Sequence, residues 1–437
     1  MRGARRPTHR RRTLIVTAVL AAGTLLLTAC GSGSTPGPGA LTSHGPISIW
    51  YSNNAQEVTW GKQVVAAWNR AHPDEKVTGQ QIPAGKTSEE VIGASITAGN
   101  APCLIYNTAP AAVGQFQKQG GLVDLSKFPG GAKYIEDRSG SLAKQYQDAK
   151  GDYYQLPWKS NPVVIFYNKK LFAKAGLDPD HPKLSTYADF IATSKTLVKS
   201  GVAPHAILPA PTSEYFQLHN DFYPLYAAES GGKLLIKNHK ATFDNQAGLD
   251  VAQFWSTMYK DKLAGQEAYA GDAFADGQAA MAIVGPWAVA VYKGKVSWGS
   301  VPVPTKDGMP ADKIWTFSDA KNVGLYSACK NQATAWDFLK YSTSSAQDSK
   351  LLSMTGQMPI RTNLATTYAD YFAKNPSYKA FGDQASRTVE DPPGPNAIEE
   401  LQFFRDAWSQ SVIFQGGDLK GSLAGAAARL DHIETQP

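Results

Sequence analysis

The chain has 437 residues, more than one ordinary domain needs, and 43 % of them are hydrophobic. Its formal charge of +6 equals the contribution of Arg2, Arg5, Arg6, Arg10, Arg11 and Arg12, so the chain without residues 1–29 holds 37 basic and 37 acidic residues. That balance argues against nucleic acid as a partner and against a polybasic membrane face.

The six arginines precede an apolar tract that ends at Ala29. It is too short, and too interrupted by Gly23 and Thr24, to span a bilayer. Residues 1–29 therefore read as a signal peptide. Leu27-Thr28-Ala29-Cys30 resembles the bacterial lipobox, which implies cleavage after Ala29 and a lipid (diacylglyceryl, palmitate) on Cys30. Arg11-Arg12 leaves export by the general or the twin-arginine route open. Residues 30–45 are rich in Gly, Ser and Pro and read as a flexible tether with a reach of roughly 20 Å. The two remaining cysteines, Cys103 and Cys329, suggest one disulfide in an exported chain, or two buried thiols.

Globular sequence starts near Pro46. Ile47-Ser48-Ile49-Trp50-Tyr51 alternates as a strand does. Residues 56–71 read as a helix with Val64, Val65 and Trp68 inward, ended by Pro73. Val77–Ile82 reads as a second strand. Ser88–Ala98 reads as a helix capped by Ser88, and Leu104-Ile105-Tyr106 as a third strand. This β-α-β-α-β rhythm predicts a parallel sheet covered by helices, with ligands at the strand carboxyl ends. Asn53, Asn54, Asn107 and Thr108 fall at that edge, as ligand contacts or as turn residues.

Further on, residues 163–167 read as a strand and 184–199 as an amphipathic helix. Residues 201–230 read as Pro-rich, aromatic and irregular, and 247–262 as a helix with Trp255 and Met258 inward. Strands over 281–284 and 322–329 follow, then a helix over 332–343 and a mostly helical end over 396–433. No internal repeat is visible. Common catalytic motifs are missing, and the histidines lack metal-ligand spacing. Carboxylates are plentiful, so a glycosidase stays open. The remaining chemistry is aromatic and amide. Trp50, Tyr106, Trp158, Trp287 and Trp315 lie at or near strand ends beside Asn53, Asn54, Asn107 and Asn161. Flat rings suit sugar C–H faces and amides suit hydroxyls, although each residue alone also fits a core or a turn.

Five segments, in order, resemble the extracellular solute-binding proteins of ABC transporters, family 1, the maltose-binding-protein-like group. They are residues 94–105 (Ala-Ser-Ile-Thr-Ala-Gly-Asn-Ala-Pro-Cys-Leu-Ile), 151–179 around Leu156-Pro157-Trp158 and Phe166-Tyr167-Asn168, 273–287 ending in Gly285-Pro286-Trp287, 324–340, and 355–361 ending in Arg361. The resemblance covers 46–435. It implies an α/β, two-lobed periplasmic-binding-protein-like fold of type II, each lobe a mostly parallel sheet flanked by helices, with the ligand cleft between. Lobe 1 is then 46–161 plus 320–358, and lobe 2 is 162–319 plus 359–437. The resemblance puts Trp287 at the sugar-stacking place, Trp158 at the cleft opening and Asn161 in the cleft. It puts Ser318 and Asp319 where a Gly-Gly hinge pair is usual, and Arg361 after the last Pro motif. It also runs the strand after Asn322 antiparallel to strand three, which implies a disulfide from Cys103, in place of the usual Asp, to Cys329.

These readings together predict a lipoprotein outside the cytoplasm, anchored to the cell membrane through Cys30. It is expected to be monomeric, without catalysis, cofactor or metal. It captures a carbohydrate, a disaccharide or an oligosaccharide, for the permease subunits of an ABC importer. A glycerophosphodiester or other small polar solute is the alternative ligand, with Lys159 and Arg361 the candidate phosphate contacts. A secreted glycan-active hydrolase is the alternative of another class.

Overall fold

The strand expected after Pro46 forms as β1 (Ile47–Tyr51), with Ile47, Ile49 and Tyr51 buried. A computed structural model describes residues 39–433, apart from 53, 86, 210–212, 239 and 393; the leader, Cys30, most of the tether and Asn53 lie outside the described residues. Asn54 takes extended backbone and its side chain accepts from the N–H groups of Gln56 and Glu57, which starts the helix Ala55–Ala71. Trp60, Val64 and Trp68, one turn apart, form its buried face. After β2 (Val77–Gln81) the next helix is Ser88–Thr97. Its cap is Thr87, not Ser88: the Thr87 hydroxyl accepts from Glu90 N–H, while Ser88 is already helical. β3 (Leu104–Thr108) then pairs parallel with β1 on the side opposite β2.

Beyond β3 the expectation of mostly parallel sheets gives way to mixed ones. β4 (Gln155–Ser160) belongs to the first sheet, and β5 (Val164–Asn168) opens the second with β6 (His205–Ile207). A short hairpin, β7 (Ile236–Lys237) and β8 (Lys240–Ala241), precedes β9 (Ala279–Val284) and β10 (Trp298–Val301). β11 (Thr316–Phe317) leads back to β12 (Lys321–Leu325) and β13 (Met358–Pro359); β14 (Thr388–Val389) pairs with β11. The first sheet is ordered β13-β4-β12-β3-β1-β2 and the second β10-β5-β9-β6. In these two sheets only β1–β2, β1–β3 and β6–β9 are parallel. β12 returns to the first sheet after the chain has built the second, and it runs against both β3 and β4.

Residues 201–230 are more regular than expected. They hold β6, a 3₁₀ segment (Tyr215–Asn220) and the helix Phe222–Ser230. Phe222 through Ala228 are buried on every side, so no 3.6-residue pattern betrays the helix, and Pro224 sits in its first turn, where no intrahelical N–H is needed. Gly231 ends it at φ 69°. The helix Gln246–Lys260 buries Trp255 and Met258, as its pattern predicts. The helices Ala397–Trp408 and Leu419–Ile433 pack on the second sheet's core with Phe404, Trp408 and Leu430.

Cys103 and Cys329 are joined by a disulfide, with Cα atoms 4.5 Å apart. The strand expected to run to Cys329 stops at Leu325. Tyr326 N–H still bonds the Cys103 carbonyl, and a turn closed by Cys329 N–H on the Tyr326 carbonyl folds Cys329 back over its partner. No described helix is long and apolar enough to cross a membrane.

Candidate functional site

Antiparallel pairing brings the end of β4 beside the start of β12, with Lys159 opposite Lys321. Here the chain passes between the sheets, and a polar ladder ties the passages together. Ser160 and Ser318 share a hydroxyl bond of 2.7 Å, and Asn161 N–H donates to Ser318 Oγ at 3.1 Å. Asn161 Nδ2 donates to the Asp319 carbonyl at 2.8 Å, and Val163 N–H bonds the Phe317 carbonyl. Next to this ladder lies a cavity of about 240 Å³. Glu89 and Ala109 line it from the first sheet's side. Asn161, Val163, Asp319 and Lys321 form its back. Tyr215, Phe216, His219, Asn220, Gly285 and Trp287 come from the second sheet's side.

Each wall has a local cause. Trp287 opens a short helix directly after β9 and is 37 % exposed, rare for an indole in this chain. A Cβ on Gly285 would come within 3.1 Å of the Trp287 ring, so glycine there lets the ring lie where it does. His219 stacks on Phe317, centroids 4.1 Å apart, and its Nε2 bonds Asp391 at 3.0 Å. Lys321 Nζ meets Asp319 Oδ1 at 2.5 Å. Burial pushes the Asp319 carboxyl up, but Lys321, His219 and Lys159 outweigh it, and its pKa lies below the ordinary 3.8. Lys159 is buried against Glu57, and burial lowers its pKa despite that partner.

Of the residues expected at the site, Asn161, Trp287 and Asp319 line the cavity together. Ser318 is fully buried beside it and holds the ladder. Packing places the other described candidates elsewhere. Trp158 is 0 % exposed, wedged between Trp60 and Tyr106 at centroid distances of 5.4 and 5.1 Å, so it is core rather than cleft opening. Asn54 spends its side-chain oxygen on the helix cap. Thr108 is buried, its hydroxyl 3.4 Å from that of Tyr326, and Asn107 turns the chain at φ 66° without lining the cavity. Arg361 donates to Asp348 at 2.6 Å and to the Thr343 carbonyl at 2.8 Å, away from the cavity. The candidate phosphate contacts, Lys159 and Arg361, are thus both committed to carboxylates. Sequence reasoning missed Glu89, Tyr215, Phe216, His219, Asn220 and Lys321. The aromatic density of 201–230 was the available signal for Tyr215 and Phe216, and the Asp319-x-Lys321 alternation for Lys321.

Behind the ladder Glu390 is 2 % exposed with no partner for Oε2. Burial pushes its carboxyl pKa well above the ordinary 4.5, and the neighbouring Asp391 adds to that. The native state therefore keeps a proton that the unfolded chain releases near pH 4.5, and stability falls as pH rises from there through the folded pKa. Asp319 acts in the opposite sense, its contribution being lost as pH falls below 3.8, so the windows do not overlap. Glu390→Gln is expected to flatten the fall in melting temperature above pH 4.5. Parallel slopes in wild type and variant would remove Glu390 as the cause.

Residues 52–349 match the model of the family described as bacterial extracellular solute-binding protein. The maltodextrin-binding protein MdxE of Bacillus subtilis is 26 % identical over 344 residues, covering 76 % of each chain. The maltotriose-binding protein of Pyrococcus abyssi is 23 % identical over 366 residues, covering 80 % of this chain and 74 % of its own. The fold is likewise that of the cyclic α-maltosyl-1,6-maltose-binding protein from Arthrobacter globiformis. That structure superposes with a TM-score of 0.75 at 20 % identity, over 90 % of this chain and 99 % of its own.

Proposed function

We propose that this chain, which belongs to the bacterial extracellular solute-binding proteins, captures a carbohydrate of two or more sugar units between its lobes and passes it to the permease of an ABC importer. The observation that carries the reading is Trp287, a 37 % exposed indole on the wall of a cavity that also presents Asn161 and Asp319. An exposed ring offers a face to a pyranose, and the amide and carboxylate offer partners to its hydroxyls. The sugar-binding relatives support the same ligand class. Lobe 1 as 46–161 plus 320–358 and lobe 2 as 162–319 plus 359–437 is the division we propose for the closing motion. We also propose a signal peptide over 1–29 and a lipid on Cys30 that holds a monomer at the outer face of the cell membrane.

The test is calorimetric titration with mono- and oligosaccharides. Trp287→Ala is expected to weaken binding by about 10- to 100-fold, the loss for one ring face, while the melting temperature holds. An unfolded variant would instead make Trp287 a core residue. Glu89 and Asp319 both reach the cavity, the feature a hydrolase would need; recovery of the oligosaccharide at unchanged length after incubation separates binding from cleavage.

A further inference from the structure

We infer that the cavity selects a sugar unit carrying a protonated amine over a neutral or an anionic one, and that Glu89 reads that charge; this rests on the carbohydrate reading of the same cavity. Two carboxylates, Glu89 and Asp319, line it, and a third, Asp391, lies directly behind His219. Of the nearby cations, Lys159 pairs with Glu57 and Lys321 with Asp319; Lys321 also lines the cavity and attracts Glu89, so the lining holds two carboxylates against one ammonium. Glu89 lines the cavity, and among the described residues it has one hydrogen bond, a long one of 3.4 Å from Ala109 N–H to Oε1, which leaves most of its acceptor capacity unspent.

An independent observation points the same way. Asn161 is 4 % exposed and lines the cavity, and while its Nδ2 donates to the Asp319 carbonyl, its Oδ1 has no partner. A buried acceptor without a donor costs free energy until something supplies one. The unspent capacity of Glu89 and Asn161 is therefore acceptor capacity. A ligand ammonium brings three donors and the complementary charge, whereas a hydroxyl brings one donor and no charge. A phosphate or carboxylate would meet Glu89 and Asp391 with like charge. Trp287, Tyr215 and Phe216 line the same space, and an aromatic ring attracts a cation placed over its face.

Titrating the full chain with a free-amine disaccharide, its N-acetylated form, a neutral disaccharide and a uronic-acid disaccharide tests this. The amine form is expected to bind about 10-fold or more tightly than the neutral one, with a gap that shrinks as salt rises. Glu89→Gln should close the gap. Glu90→Gln, which removes the same charge from an exposed neighbour outside the cavity, should leave it open. If the neutral or acetylated form binds as tightly as the amine, the charge inference falls and the carbohydrate reading stands. If no disaccharide or longer oligosaccharide binds, both fall. The comparison of ligands on the wild-type chain decides the matter even if Glu89→Gln does not fold.

Discussion

Removing the Cys103–Cys329 disulfide by a double Cys→Ala substitution is expected to lower the unfolding free energy by up to about 5 kcal/mol. The bond spans 226 residues, and in the chain-entropy model closing a loop of that length removes much conformational entropy from the unfolded state. Both cysteines are buried, 7 % and 2 % exposed, so the variant also loses some packing. Both lie beside the paired β3 and β12 of the first sheet, so the folded state keeps its backbone register without the bond. Denaturant titration of oxidised wild type against the double variant measures the difference. A midpoint that does not move would mean that strain cancels the entropic gain. Counting thiols in denatured, unreduced protein lacking Cys30 checks the premise, with zero expected.

Asp348→Ala is expected to cost about 3–5 kcal/mol, because it leaves buried guanidinium charge without its counter-ion. Asp348 is fully buried and receives Arg138 Nη2 at 3.0 Å and Arg361 Nε at 2.6 Å. Arg138, 3 % exposed, also donates to the carbonyls of Pro157, Trp158 and Ile360, so it clasps the end of β4 to the chain leaving β13. Loss of Asp348 therefore loosens the tie between β4 and the chain after β13 as well as the helix Ser345–Thr355 that carries it. The exposed pair Lys133–Asp137 is the control: Asp137→Ala should not move the denaturation midpoint. Equal effects at the two sites would show that burial of the triad contributes nothing.

Regular, one-sided elements were legible in the sequence. β1 and the helix Gln246–Lys260 announce themselves because one face is wet and the other dry. The helix Phe222–Ser230 did not, because burial on every side erases the period. Strand order was hidden from local rhythm, which reveals β1, β2 and β3: the family resemblance alone set the strand after Asn322 antiparallel to β3, as it is, and nothing near residue 321 shows that β4 will pair with its other edge. Trp287, Asn161 and Asp319, set at the cleft by the family resemblance, do line the cavity. Trp158 and Arg361 were misplaced because exposure depends on what packs from elsewhere: Trp60 and Tyr106 in one case, Asp348 in the other. Glu89 went unnoticed because one acidic residue at a helix start reads equally well as a favourable dipole contact.

The place of β12 in the first sheet fixes an order of birth. A chain emerging from its N-terminus can join β2, β1 and β3 early, but β4, buried along its whole length, has only β12 and β13 as neighbours. Residues 161–320, including the whole second sheet, must emerge between β4 and β12. Until then β3 and β4 present open edges, each a template for pairing with another chain. The first sheet therefore begins before the second and is completed after it, and over that interval the growing protein depends on keeping the open edges of β3 and β4 from its neighbours.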